Sequence, residues 1–162
     1  MTKNNWLSPV QLLDSSLLGS SFQLNLDYGG SSPIVSMTVS VQIEHPENTD
    51  GLNLARCVFV FDGKWHEQDN AENIAFTASC SMGNVVSIPD AAVSGDISPE
   101  QKRRIADANA VSLVYGKIRS FIEDLTAQSP VGRQTIPAID PYALLDSFEN
   151  GADGHSGGEP SE

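Results

Sequence analysis

The sequence predicts an α+β fold: a four-stranded antiparallel sheet followed by a long helix and a short C-terminal helix packed on one face. Three observations carry this reading. Four runs between Phe22 and Ile88 are strand-like, and two of them alternate apolar and polar residues with period two. From Ser98 onward the apolar residues recur every three or four positions, the period of a helix. The strand-like runs follow one another directly, so an antiparallel sheet with its helices on one side is the natural packing.

Before Phe22 the chain is expected to be irregular. Ser8-Pro9 could open a short helix through Leu13, but Ser15, Ser16, Gly19, Ser20 and Ser21 break any regular pattern. In the first strand Phe22, Leu24 and Leu26 alternate with Gln23, Asn25 and Asp27, and Gly29 to Pro33 form a loop. The second strand is the cleanest. Val35, Met37, Val39, Val41 and Ile43 face one way; Ser36, Thr38, Ser40, Gln42 and Glu44 face the other. After a polar turn at Pro46 to Gly51, a third strand spans Leu54 to Phe61 with apolar residues on both faces. Asp62-Gly63 is read as the start of a turn. A fourth strand runs from Ile74 to Met82, and Val85, Val86 and Ile88 extend it.

Ser98-Pro99-Glu100-Gln101 has the residues of an N-cap, a proline in the first turn and a capping-box glutamine. The helix after it carries a stripe of Ile105, Ala108, Val111, Val114, Tyr115, Ile118, Ile122 and Leu125. Pro130 and Gly132 mark a loop, and Asp140-Pro141 caps a short helix bearing Tyr142, Leu144, Leu145 and Phe148. The expected organisation is an irregular segment at 1–21, one domain at 22–150, and a disordered acidic tail at 151–162, which is rich in glycine and has no Lys or Arg.

The 162 residues suit one domain plus a tail, and a 40% hydrophobic content suffices for a core. The 21 acidic residues against 9 basic ones give a formal charge of −12, which repels nucleic-acid phosphates and anionic membranes. No apolar run has the length of a transmembrane span, and no signal peptide is read at the start, so the cytoplasm is the expected location. Cys57 and Cys80 lie inside apolar runs and read as buried thiols. His45, His66 and His155 lack metal-ligand spacing, no phosphate-binding loop or nucleophile elbow occurs, and Glu123-Asp124 lie on a wet helix face. The chain is therefore expected to bind rather than catalyse, without metal or cofactor.

One stretch is more specific. Leu113-Val-Tyr-Gly-Lys-Ile-Arg-Ser-Phe-Ile-Glu-Asp-Leu125, followed by Thr135-Ile-Pro-Ala-Ile-Asp-Pro-Tyr-Ala-Leu144, resembles the helix, loop and final helix of the SecB export chaperones. Tyr115 stands at their aromatic position, Arg119 at their arginine, and Ile136-Pro137 and Ile139-Asp140 at the loop positions. Gly116 replaces a usual proline and Ala138 the second loop proline, which marks a divergent relative. The resemblance implies an ATP-independent chaperone, a homotetramer built as a dimer of dimers, that holds non-native or pre-export polypeptides. It further implies the translocase motor SecA or a toxin–antitoxin component as candidate partners.

On that basis Phe59, Phe61, Trp65, Phe76, Met82, Val85, Ile136, Pro137, Ile139 and Leu144 are the expected client-binding groove, and Tyr115, Ile118, Arg119 and Ile122 the expected oligomer interface. Plain core packing competes for each groove residue taken singly. The competing function is a dedicated adaptor that binds one partner through the same fold, an antitoxin-associated or phage-encoded protein for example.

Overall fold

The structure is a computed structural model, and it describes residues 10–47, 52–89 and 97–152. Four strands, β1 (Gln11–Leu24), β2 (Ile34–Glu44), β3 (Leu52–Glu67) and β4 (Asn70–Pro89), precede two helices, α1 (Pro99–Ala127) and α2 (Pro141–Ala152). All strand pairs are antiparallel, in the order β1-β4-β3-β2. This is the α+β sheet-and-helix architecture that the sequence predicts.

Two boundaries differ from expectation. The stretch up to Ser21 is not irregular throughout, because β1 begins at Gln11; residues 1–9, including the proposed cap at Ser8-Pro9, lie outside the described residues. The pairing of β1 with β4 shifts between Leu12 and Asp14 and again between Leu17 and Gly19. Each bulge puts one extra residue on β1. The alternation that marks a strand in sequence is therefore broken twice, although the strand is continuous.

Asp62-Gly63 is likewise not a turn. β3 runs on to Glu67, and the turn lies at Gln68 and Asp69. Gly63 serves packing instead: a Cβ there would stand 2.5 Å from the Trp65 ring and 2.7 Å from the Phe61 ring. The expected disordered tail falls outside the described residues from position 153 on.

The core lies between β3, β4 and α1. From β3 it takes Cys57, Phe59, Phe61 and Trp65, and from β4 Phe76, Ala78, Cys80, Met82, Val86 and Ile88. Trp65 stacks on Phe76 at 4.3 Å, and Phe61 and Phe22 tilt against that pair at 6.2 and 5.4 Å. α1 starts at a complete capping box, in which Ser98 Oγ accepts from Gln101 N and Gln101 Oε1 accepts from Ser98 N. It then lays Val111, Val114, Tyr115, Ile118 and Ile122 onto the sheet. Gly116 sits on the exposed face and the helix continues through it. α2 packs on α1, where Arg104 pairs with Asp146 and lies 3.6 Å from Glu149.

Phe59 is fully buried and its ring lies 5.5 Å from that of Tyr115. Phe59→Ala should lower stability by about 3–5 kcal/mol in urea unfolding, the range for truncating a buried aromatic. Ser98→Ala should cost about 1 kcal/mol, through the lost cap alone.

Candidate polypeptide-binding surface

β1 and β2 are the outer strands, and among the described residues neither has a neighbouring strand on its outer side, along β1 from Leu12 onward and along β2. α1 lies over β3 and β4. The outer strands therefore carry apolar side chains that the helix covers only in part. On β2 these are Val35, Met37, Val39, Val41 and Ile43, all half-buried; Met37 is in register with Gly63 and the others with core residues of β3. On β1 they are Leu12, Leu13, Leu17 and Leu18, which keep 40%, 56%, 51% and 57% of their surface exposed. The bulges spread these leucines over both faces. Leu12 and Leu17 are in register with the core residues Val86 and Met82, whereas Leu18 lies over Gly83. An extended chain laid along either edge would meet both free hydrogen-bonding groups and apolar side chains.

The loop between the helices is held back against α1. Thr126 Oγ1 donates to Ile122 O at 2.7 Å and accepts from Gln134 N at 2.9 Å. Thr135 Oγ1 donates to Glu123 Oε1 at 2.7 Å, and Arg119 Nε reaches both Glu123 and Thr135. The Tyr115 hydroxyl donates to the Pro137 carbonyl. These bonds press Ile136 into the core, leave Pro137 exposed and leave Ile139 half-buried. The Thr135 hydrogen bond and the Arg119 charge hold the Glu123 carboxyl below its usual range.

The expected groove is redistributed by this arrangement. Phe59, Phe61, Trp65, Phe76 and Ile136 have at most 1% of their surface exposed, so they are core and offer a partner nothing. Met82 is also buried, beneath the same helix. Val85 is half-buried on the opposite face of β4. Pro137, Ile139 and Leu144 keep accessible surface. Of the expected oligomer interface, Tyr115, Ile118 and Ile122 are turned onto the chain's own sheet, and Arg119 is engaged with the loop. The side chains of α1 that are accessible are others, among them Ser112, Leu113, Lys117 and Ser120. The residues passed over are the β2 stripe and the β1 leucines. The stripe was visible as strict alternation; the leucines were visible only as the doublets Leu12-Leu13 and Leu17-Leu18.

Titratable groups form pairs. Among the described residues, no group of three or more His, Cys, Asp or Glu side chains could hold a metal. Burial pushes the Cys57 thiol up to about 12, with a further contribution from the Asp107 charge, and the Cys80 thiol up to about 11. His45 Nε2 lies 2.7 Å from Asp107 Oδ1 and ties the end of β2 to α1. Burial raises the Asp107 carboxyl, and the His45 contact opposes that shift. On the other face, His66 Nε2 lies 2.7 Å from Ser36 Oγ. Among the described residues, no helix is long and apolar enough to cross a membrane.

Two measurements follow from this chemistry. Iodoacetamide should leave Cys57 and Cys80 unmodified in the folded chain and alkylate both after unfolding, since only the thiolate reacts. Glu123 has a depressed folded pKa, so its contribution to stability is present above the unfolded carboxylate pKa and is lost as pH falls through the folded one. Thr135→Val removes the largest cause, and should move the Glu123 titration, followed by NMR, back toward the ordinary carboxylate range.

No family model and no curated protein matches the chain. Solved structures do. One is the Mycobacterium tuberculosis SecB-like chaperone Rv1957, in complex with a ChAD peptide from the Rv1956 HigA1 antitoxin. It is 13% identical with a TM-score of 0.51, and the match covers 80% of this chain and 90% of that one. Another is a protein of unknown function from Streptococcus agalactiae, 10% identical with a TM-score of 0.48, covering 80% of this chain and 97% of that one. The architecture described above is the SecB-like fold.

Proposed function

We propose that this chain holds other polypeptides in extended form, along the apolar margins of its sheet and without nucleotide. The observation that carries the reading is the pair of outer strands, which among the described residues have no strand on their outer side and are bordered by apolar side chains that α1 leaves accessible. An edge strand supplies sequence-independent hydrogen bonds, and the apolar row supplies affinity with little specificity. The acidic balance of the chain favours clients of basic character. No catalytic step is needed for such a role.

Long, exposed apolar edges also invite self-association, because a free strand edge is a template for pairing. A homotetramer built as a dimer of dimers would protect part of this margin and leave the rest for clients. Delivery of pre-export clients to SecA is one use of such an assembly in the cytoplasm. The second reading is an adaptor dedicated to one partner. It is favoured by the fold neighbour, whose solved complex contains an antitoxin peptide.

The test is light scattering of an aggregating unfolded protein without nucleotide, with the mass of the chain in solution measured alongside. Suppression at stoichiometric amounts is expected. Leu13→Asp with Leu18→Asp removes apolar surface that is already more than half exposed, so the fold should survive. Suppression should then fall several-fold while the circular dichroism spectrum is unchanged. A chain that leaves aggregation untouched overturns the holding reading in favour of the dedicated adaptor.

A further inference from the structure

The sheet face turned away from α1 is mixed: Val58, Val60 and Val85 lie on it at one end, and polar side chains at the other. The side chains of Phe61 and Trp65 point under the helix, so Asp62, Lys64 and His66, which alternate with them on β3, point the other way. Ser36 of β2 is in register with Lys64, and its neighbour Ile34 is in register with His66. Ser36, Thr38, Asp62, Lys64, Thr77 and Ser79 border a groove of about 540 Å³ on this face.

His66 is the unusual member of the row. The residue is 6% exposed, while Ser36 beside it is exposed. His66 Nδ1 lies 2.8 Å from the Glu67 carbonyl oxygen, and Nε2 lies 2.7 Å from Ser36 Oγ. A carbonyl can only accept, so Nδ1 carries a proton, and in the Nδ1–H tautomer Nε2 accepts the Ser36 hydroxyl proton. The result is a serine hydroxyl in a groove, hydrogen-bonded to an imidazole whose other nitrogen is oriented by a fixed acceptor. That is the nucleophile, base and orienter arrangement of acyl transfer, with a backbone carbonyl in the third role.

We propose that Ser36 is a nucleophilic serine, activated by His66, that takes the acyl group of a small ester bound in this groove. Ser36 Oγ bonds to the acyl carbon as its proton passes to His66 Nε2. The bond from acyl carbon to leaving oxygen then breaks, and that oxygen takes the proton from His66. Water cleaves the acyl-serine through the same imidazole and restores the hydroxyl. Lys64, in register with Ser36 and lining the same groove, would supply a cation to the developing oxyanion. The site lies on the face opposite α1 and does not depend on the polypeptide-holding reading.

The test uses the full chain with two probes, p-nitrophenyl acetate and a fluorophosphonate. In the second, Ser36 Oγ displaces fluoride at phosphorus and the proton leaves through His66. Peptide mass spectrometry should place the phosphonyl group on Ser36, and nitrophenolate release should exceed that of the Ser36→Ala chain. His66→Gln keeps a polar side chain at the position but supplies no base. It should lower acylation by about 10²- to 10⁴-fold, the usual range for a general base. Its circular dichroism and thermal melt would show that it remains folded; should it unfold, Ser36→Ala, a change at an exposed position, carries the test alone. Labelling of Lys64 in place of Ser36, labelling spread equally over Ser21, Ser40 and Ser36, or release unchanged in Ser36→Ala would overturn the proposal.

Discussion

A mismatch of width underlies the rest of this structure. Four strands at about 4.8 Å spacing make a sheet wider than one α-helix, whose diameter with side chains is about 10 Å. A single long helix can therefore cover two strands well. Here it covers β3 and β4, and their inward residues from Ala55 to Ile88 are almost wholly buried. The outer strands receive what is left. The inward side chains of β2 are half-buried at every second position, and the β1 leucines are mostly bare. A second sheet-covering helix would have closed this margin. α2 does not close it, because it packs on α1.

The loop between the helices answers a related problem. Backbone leaving the end of a helix must find partners for its polar groups. Thr126, a buried hydroxyl in the last turn, accepts from the Gln134 amide and so folds the chain back along the helix. Glu123, Arg119 and Thr135 then form a compact clasp at the surface, and Tyr115 reaches the Pro137 carbonyl from the half-buried flank. With the backbone held at these points, Ile136 is carried into the core and Pro137 is left outside. Neighbouring residues of one short motif thus end in opposite environments.

The two faces of the sheet also divide the chemistry. The face under α1 is apolar, and its two thiols are buried, which raises the pKa of each. The other face is rich in hydroxyl groups from Ser21, Ser36, Thr38, Thr77 and Ser79, and it carries the His66 imidazole. An antiparallel sheet can support this division because successive side chains alternate strictly across it.

The sequence by itself determined the order of the elements, the capping box at Ser98 and the inward row of β2, because these depend on spacing along one strand or helix. The stretch from Leu113 to Leu144 also carries a resemblance to the SecB chaperones. The start of β1, the reach of β3 and the division between core and surface among the large apolar residues were decided only by the tertiary structure. A bulge moves a side chain to the other face without leaving a mark in composition, so Leu12 to Leu18 could not be read as strand. A glycine that makes room for two rings looks like a glycine that makes a turn, which concealed the true extent of β3. Periodicity identifies an apolar face but not what covers it. Phe59 and Phe61 became core, and Val39 and Leu17 became margin, through their distance from a single helix axis, and that distance exists only once the sheet is assembled.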